Sequence, residues 1–124
     1  MNNILDLIAR IFISAVFLIA GINKINQYEG TVQWMESFGV PGILIIPAIM
    51  LEVIGSVLII VGYQTRITAS IFSIFCISLA FIFHNDFSNQ MELVSFFKNL
   101  ALAGGFLFLA INGPGKISLD KKLR

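Results

Sequence analysis

Polar chemistry in this chain is confined to a few side chains within long apolar stretches. The candidates for a binding or proton-handling site are Arg10, Lys24, Glu52, His84, Lys98 and Asn99. A carboxylate inside a membrane can hold a proton, and a histidine titrates near neutral pH. Lysine and arginine side chains can hold an anionic or quinone-like head group. These residue types predict a polar pocket for a proton, an anion or a small head group.

Glu52 is the most informative of these residues because it lies near the centre of an apolar run. The run is residues 43–63, ILIIPAIMLEVIGSVLIIVGY, which has 21 residues. About 20 apolar residues in a helix cross the roughly 30 Å hydrocarbon layer of a bilayer. A charged side chain at the middle of such a helix costs at least about 2.5–3.5 kcal/mol. We therefore expect Glu52 to be protonated, paired, or turned towards a wet cavity between helices.

The composition indicates a polytopic membrane protein. Of the 124 residues, 57% are hydrophobic and 12% are charged, whereas soluble domains have about 25% charged residues. The mean hydropathy is +0.91. A net charge of +1 without a basic, aromatic-rich patch argues against nucleic acid as a partner. The single cysteine, Cys76, excludes an internal disulfide, and we interpret it as a small apolar filler within a helix.

Four apolar segments must position the polar residues. Their predicted bounds are 3–22, 43–63, 67–83 and 93–111, which predicts an all-α bundle of four transmembrane helices in one domain, 1–124. Residues 26–41, between the first two segments, form either a short surface helix or an ordered loop. One face of the first segment carries Arg10, Ser14, Phe17, Gly21 and Lys24. That stripe predicts a buried seam between helices.

The positive charges predict that both termini are cytoplasmic. In that orientation the inner side carries Arg10, Arg66, Lys116, Lys121, Lys122 and Arg124, and the outer side carries Lys24 and Lys98. Cytoplasmic loops of membrane proteins carry an excess of lysine and arginine. The candidate pocket then opens to the outer face, with His84 at its mouth.

Depth along the helices predicts which charges meet. Counted from the outer ends of their spans at about 1.5 Å per residue, Arg10 and Glu52 lie within a turn or two of each other in depth. Arg10–Glu52 is therefore the expected ion pair, with Lys98 as the second choice. Such a pair can also serve only to lock the bundle.

In the tail, Gly113, Pro114 and Gly115 stop the last helix, and we expect Asp120 to pair with Arg66. No spacing of His, Cys and carboxylates predicts a metal site, and no glycine-rich phosphate loop is present.

Several of these residues also carry a family resemblance. The motifs are Arg10 and Gly21-x-x-Lys24, Gly39-Val-Pro41, Glu52 with Gly62-x-x-Thr-Arg66, His84, Lys98-Asn99, and Gly113-Pro-Gly-x-x-Ser-x-Asp120. In this order and spacing the chain resembles the DoxX family of small four-helix membrane proteins over nearly its whole length. It departs from the family at Ile117, where an aromatic residue is expected.

The resemblance implies a bacterial inner-membrane protein associated with respiratory redox chemistry. Some members of that family are subunits of quinol-linked or thiosulfate:quinone oxidoreductases. This chain has no haem ligand pair, flavin motif or thiol pair evident in its sequence. Electron transfer would therefore need a bound quinone or a redox partner subunit.

Three hypotheses of function follow. The first is a membrane subunit of a redox complex that uses Arg10, Glu52, His84 and Lys98 to bind a quinone or small anion. The second is a non-enzymatic binding module or a proton-coupled transporter in which Glu52 carries the proton. The third is a membrane scaffold for a partner protein, whose buried charges serve assembly. The lipid bilayer is a partner in all three, and each leaves catalytic activity and homo-oligomerisation open.

Overall fold

The computed structural model of the chain describes residues 2–84, 88–115 and 117–122, and every regular element among them is helical. The α-helices are α1 (Asn2–Asn26), α2 (Tyr28–Ser37), α3 (Ile45–Met50), α4 (Ser56–Val61), α5 (Thr65–Phe83), α6 (Gln90–Asn112) and α7 (Leu119–Lys122). Four stretches are long and apolar enough to cross a membrane: Ile4–Asn26, Gly42–Val61, Thr65–Phe83 and Gln90–Asn112. The prediction of an all-α protein with four membrane spans is confirmed.

The second span is an irregular helix. A 3₁₀ turn over Gly42–Leu44 leads into α3, a π-helical turn over Leu51–Gly55 follows, and α4 completes the span. The Ser56 hydroxyl donates to the Glu52 carbonyl, and the Ser56 backbone N–H bonds instead to the Val53 carbonyl. A serine hydroxyl that donates to the carbonyl four residues earlier competes with the backbone N–H that would bond to that carbonyl in a regular α-helix. Glu52 therefore lies in the distorted turn, and π turns of this kind are frequent at functional sites.

The first connection is a helix, which decides between the two predicted alternatives. The Trp34 ring in α2 stacks on Phe83 at the end of α5, with centroids 4.4 Å apart. Met35, Ile45 and Phe83 form a buried cluster beneath it. These contacts tie α2 to the ends of the second and third spans.

An aromatic core lies where the spans meet. Phe72 stacks on Phe106 with centroids 4.7 Å apart, and Phe17 packs against Phe72 at 5.1 Å. Cys76 is buried in the same cluster, as its interpretation as an apolar filler predicts. The predicted seam on α1 is confirmed too, because Arg10, Ser14, Phe17 and Gly21 are all buried and Lys24 is partly buried.

Both chain ends lie at one end of the bundle, which we call the termini end. There the Arg10 guanidinium donates to the Ile117 carbonyl, and Gly115 packs against Asp6. Bringing both ends together is what four antiparallel spans require. The side of the membrane to which this end belongs stays a prediction, and two of its predicted charges, Lys116 and Arg124, lie outside the described residues.

Candidate functional site

A buried ion pair between α1 and the second span is the centre of the candidate site. The Lys24 Nζ lies 2.8 Å from Glu52 Oε1 and 3.1 Å from Oε2. The Glu52 side chain is 1% exposed and that of Lys24 is 25% exposed. The pair places a hydrogen-bond donor beside a carboxylate within the apolar spans.

The predicted Arg10–Glu52 pair is wrong, and so is the second choice, Lys98. The prediction assumed that the outer end of the first span, at Lys24, lies level with the outer end of the second, at Ile43. The structure brings Gly21 level with Glu52 and Val53, since a Cβ at Gly21 would lie 2.7 Å from Val53 Cγ2 and 3.1 Å from Glu52 Cβ. Arg10 precedes Gly21 by eleven residues in α1, which places it about 16 Å away along the helix. Lys24, one turn from Gly21 in the other direction, is within reach instead.

Arg10 makes a different set of contacts at the termini end. Its Nη1 donates to the carbonyls of Ile59 (3.1 Å) and Ile60 (2.9 Å) at the end of α4, and its Nη2 donates to the Ile117 carbonyl. The last carbonyls of a helix have no partner within the helix and carry partial negative charge. The planar guanidinium can satisfy several of them at once. Arg10 therefore joins α1, α4 and the tail, away from Glu52.

His84 pairs with a residue that the sequence analysis missed. Its Nδ1 lies 3.0 Å from Glu92 Oε2, and both side chains are partly exposed. Glu92 lies in the first turn of α6 and His84 directly follows α5. A signal was available, because a carboxylate is favoured in the first turn of a helix and the end of α5 must lie beside the start of an antiparallel α6. This pair lies at the end of the bundle opposite the termini.

Lys98 and Asn99 do not join the ion pair in the contacts that the structure gives. The Lys98 side chain is exposed on α6. Asn99 is buried, and its Nδ2 donates to the Ser95 carbonyl of the same helix at 3.0 Å. The six candidates thus lie apart: Lys24 and Glu52 form the central pair, and Arg10 lies at the termini end. His84 lies at the opposite end, and α6 carries Lys98 on its surface and Asn99 on a buried face.

The tail is held by contacts other than the expected Asp120–Arg66 pair. The Asp120 carboxylate accepts from the backbone N–H groups of Gln64 (2.7 Å) and Thr65 (2.8 Å). The Arg66 guanidinium donates to the Ile111 carbonyl (2.7 Å) and more weakly to that of Ala110 (3.5 Å). Gly113 and Gly115 have φ values of +79° and +85°, which favour glycine and end α6. Asp120 thus caps the start of α5, and Arg66 caps the end of α6.

Among the described residues no three His, Cys, Asp or Glu side chains converge on a common point where a metal ion could bind.

The hydrogen-bonding groups of the central pair suit a small organic molecule. An ammonium and a carboxylate in apolar surroundings fit a small molecule with a carbonyl or hydroxyl oxygen. A quinone or quinol head group has both kinds of oxygen, so the residues fit it.

Comparison with known proteins gives consistent matches. A family model described as DoxX matches residues 5–85. "Inner membrane protein YqjF" of Escherichia coli K12 is 44% identical over 117 residues, which cover 94% of this chain and 90% of that protein. "Inner membrane protein YphA" of the same organism is 40% identical over 126 residues, covering 96% and 90%. "Putative oxidoreductase CatD" of Bacillus subtilis is 32% identical over 68 residues, covering 55% and 51%. No solved structure matches.

Proposed function

Because the chain belongs to the DoxX family, we propose that it is a membrane subunit or accessory protein of a quinone-linked oxidoreductase. It spans the bacterial inner membrane four times, in keeping with the inner-membrane relatives that it matches over nearly its full length. The name of CatD supports an oxidoreductase role more distantly. In this proposal Lys24 and Glu52 bind the quinone head group.

The observation that carries the proposal is the unequal burial of the Lys24–Glu52 pair. Each charge is costly within the apolar spans, so the pair is expensive to maintain. The carboxylate is almost fully buried, while a quarter of the Lys24 side chain remains accessible. The ammonium has three N–H donors, and the carboxylate engages at most two of them. The remaining donor can bind a ligand that enters beside Lys24.

The chemistry of the two side chains suits a quinone. Reduction of a quinone there would need two electrons, which a redox partner subunit would supply, and two protons, one from the Glu52 carboxyl and one from water. Lys24 donates a hydrogen bond to a carbonyl oxygen and so orients the head group. Glu52 can hold a proton at its carboxyl and exchange it with an oxygen of the head group, while Lys24 compensates the charge that the proton leaves behind.

Quinone binding tests the proposal directly. Quinone that co-purifies with the full chain in mild detergent would be extracted and quantified by mass spectrometry. Binding of a short-chain ubiquinone would then be measured by calorimetry. We expect Lys24→Met and Glu52→Gln each to weaken binding at least about tenfold, which corresponds to about 1.4 kcal/mol. The matched control is Lys98→Met, which removes an exposed lysine and should leave binding unchanged. Equal binding by all four proteins, or none by the wild type, would rule out a quinone site at this pair.

A second candidate function is proton-coupled transport, which the positions of the titratable groups favour. His84 and Glu92 pair at the end of the bundle opposite the termini, and Lys24 and Glu52 pair within the spans. A proton could pass from the His84–Glu92 pair to the Lys24–Glu52 pair, so the two pairs could serve as successive proton sites. Proteoliposomes with an internal pH dye would show Glu52-dependent proton uptake under this hypothesis.

The scaffold hypothesis makes a different prediction. The double variant Lys24→Met with Glu52→Leu should regain the stability that either single variant loses and should still assemble with its partner protein. Quinone binding and proton uptake should not be detected for the wild type or for the double variant.

A further inference from the structure

A cleft at the termini end is separate from the Lys24–Glu52 pair. It has a volume of about 280 Å³ and lies between the first half of α1 and the second half of α6. Ile13 closes it towards the middle of the bundle, where a Cβ on Gly105 would lie 2.7 Å from Ile13 Cδ1. Asp6 and Asn112 lie at the other end of the cleft. The lining is therefore polar at the termini end and apolar towards the middle.

Arg10 lines this cleft with a donor to spare. Its side chain is 2% exposed, and its two Nη atoms bond to carbonyls of α4 and the tail. Its Nε is buried and has no hydrogen-bond partner among the residues that the structure describes. A buried donor without a partner costs about 1–3 kcal/mol. A ligand oxygen in the cleft could satisfy this edge of the guanidinium.

Asp6 supplies the opposite charge at the mouth of the cleft. Its side chain is exposed and interacts electrostatically with Arg10, yet the ion pairs found in the described part of the chain do not include it. The carboxylate of Asp120 is nearby but is held by the N–H groups at the start of α5. Arg66 is held by the last carbonyls of α6. Among the residues that the structure describes, the cleft thus offers a ligand one guanidinium and one carboxylate that is in no ion pair.

We propose that the cleft binds a phospholipid of the leaflet at the termini end, one whose head group carries both a phosphate and a primary ammonium. Phosphatidylethanolamine has this chemistry. Its phosphate oxygen accepts from Arg10, a charge-assisted bond that guanidinium favours. Its ammonium lies against Asp6, and part of an acyl chain fills the apolar end beside Ile13 and Leu109.

The charge pattern selects this class over anionic lipids. Phosphatidylglycerol has the same phosphate and acyl chains, but it has no ammonium to face Asp6. With its phosphate bound to Arg10, the Asp6 carboxylate would be left in the cleft without a positive partner. The proposal therefore predicts a preference between two lipids that differ only in the head group.

Native mass spectrometry of the delipidated full chain, titrated with dioleoyl phosphatidylethanolamine or dioleoyl phosphatidylglycerol, tests the site. We expect the ethanolamine lipid to bind at least about fivefold more tightly, which is about 1 kcal/mol. Asp6→Asn should remove that preference. Ala9→Phe, which fills the cleft from α1, should weaken both lipids at least about fivefold. Neither change touches the carbonyl contacts of Arg10, and thermal unfolding would verify that both variants fold.

The matched control is Ile8→Phe, which enlarges an exposed residue outside the cleft and should bind both lipids as the wild type does. Glycerophosphoethanolamine, the head group without acyl chains, should bind far more weakly than the lipid. Three results would overturn the proposal: equal affinity of the wild type for the two lipids, unaltered binding by Ala9→Phe, or binding of the free head group as tight as that of the lipid. None of these depends on the proposed quinone site.

Discussion

At the scale of residues, each of the two cations on the α1 seam has a side chain that suits the partner it meets. Arg10 has a rigid, planar guanidinium, which donates hydrogen bonds to three backbone carbonyls, two at the end of α4 and one in the tail. Lys24 has a compact ammonium on a flexible stem and forms an ion pair with the Glu52 carboxylate. The charge of Arg10 is therefore used to join helix ends. That of Lys24 neutralises Glu52 and leaves a donor available.

The unequal exposure of the central pair predicts unequal effects of removing its members. Lys24→Met leaves the Glu52 carboxylate buried without a partner, whereas Glu52→Gln leaves an ammonium that can turn towards water on its flexible stem. Breaking a buried pair costs about 3–5 kcal/mol. We expect Lys24→Met to approach that range and Glu52→Gln to cost clearly less. Unfolding titrations in detergent measure both, and Lys98→Met serves as the control. A larger loss for Glu52→Gln would contradict this account.

At the scale of elements, the packing of α5 against the second span depends on Gly55. A Cβ on Gly55 would lie 2.8 Å from Phe72 Cε2 and 3.3 Å from Leu51 Cδ1, so Gly55 lets α5 approach the distorted turn. We expect Gly55→Ala to destabilise the fold by about 1–3 kcal/mol, the usual cost of overpacking. Thermal unfolding measures the loss.

Gly104 in α6 is the matched control for this substitution. A Cβ there meets nothing within 4 Å. Alanine in a helix interior is favoured over glycine by about 0.5–1 kcal/mol, so Gly104→Ala should be neutral or stabilising. If both substitutions had the same effect, the close approach at Gly55 would not be what matters.

The start of α5 depends on the tail for its cap. The N-cap position is Gln64, whose side chain makes no capping bond, and the Asp120 carboxylate supplies the two acceptors instead. Losing an N-cap costs about 0.5–2 kcal/mol. We expect Asp120→Ala to lower stability by that amount and to speed hydrogen exchange at Gln64 and Thr65. Asp120→Asn keeps one acceptor oxygen and should lose less. Unchanged exchange in Asp120→Ala would show that the cap is dispensable.

At the scale of the whole molecule, the charge asymmetry between the two ends predicts the orientation. Arg10, Arg66 and the tail lie at the termini end, and this end should face the cytoplasm. In a Cys76→Ala background, single cysteines at Ser88 and Lys121 would be exposed to an impermeant thiol reagent in spheroplasts. We expect labelling at position 88 and none at 121 until the membrane is permeabilised. Labelling of 121 alone would reverse the orientation and place the lipid cleft in the outer leaflet.

The sequence by itself determined the fold class and the number of spans. Runs of about 20 apolar residues in a bilayer must satisfy their backbone groups within a helix, so length and hydropathy suffice. The stripe from Arg10 to Gly21 was predictable as buried because helical periodicity is a local property. The same reasoning identified Glu52 as the residue that needs a partner.

Only the tertiary structure decided which partner each charge has. The choice between Arg10 and Lys24 depends on how far α1 is displaced along the second span, and the packing of Gly21 against Glu52 and Val53 sets that displacement. Likewise, Asp120 caps α5 across 55 residues of sequence. The free energies of such contacts depend on distances between segments, which no local pattern encodes. The lipid cleft arises in the same way, from the separation of α1 and α6 beyond Ile13 and Gly105.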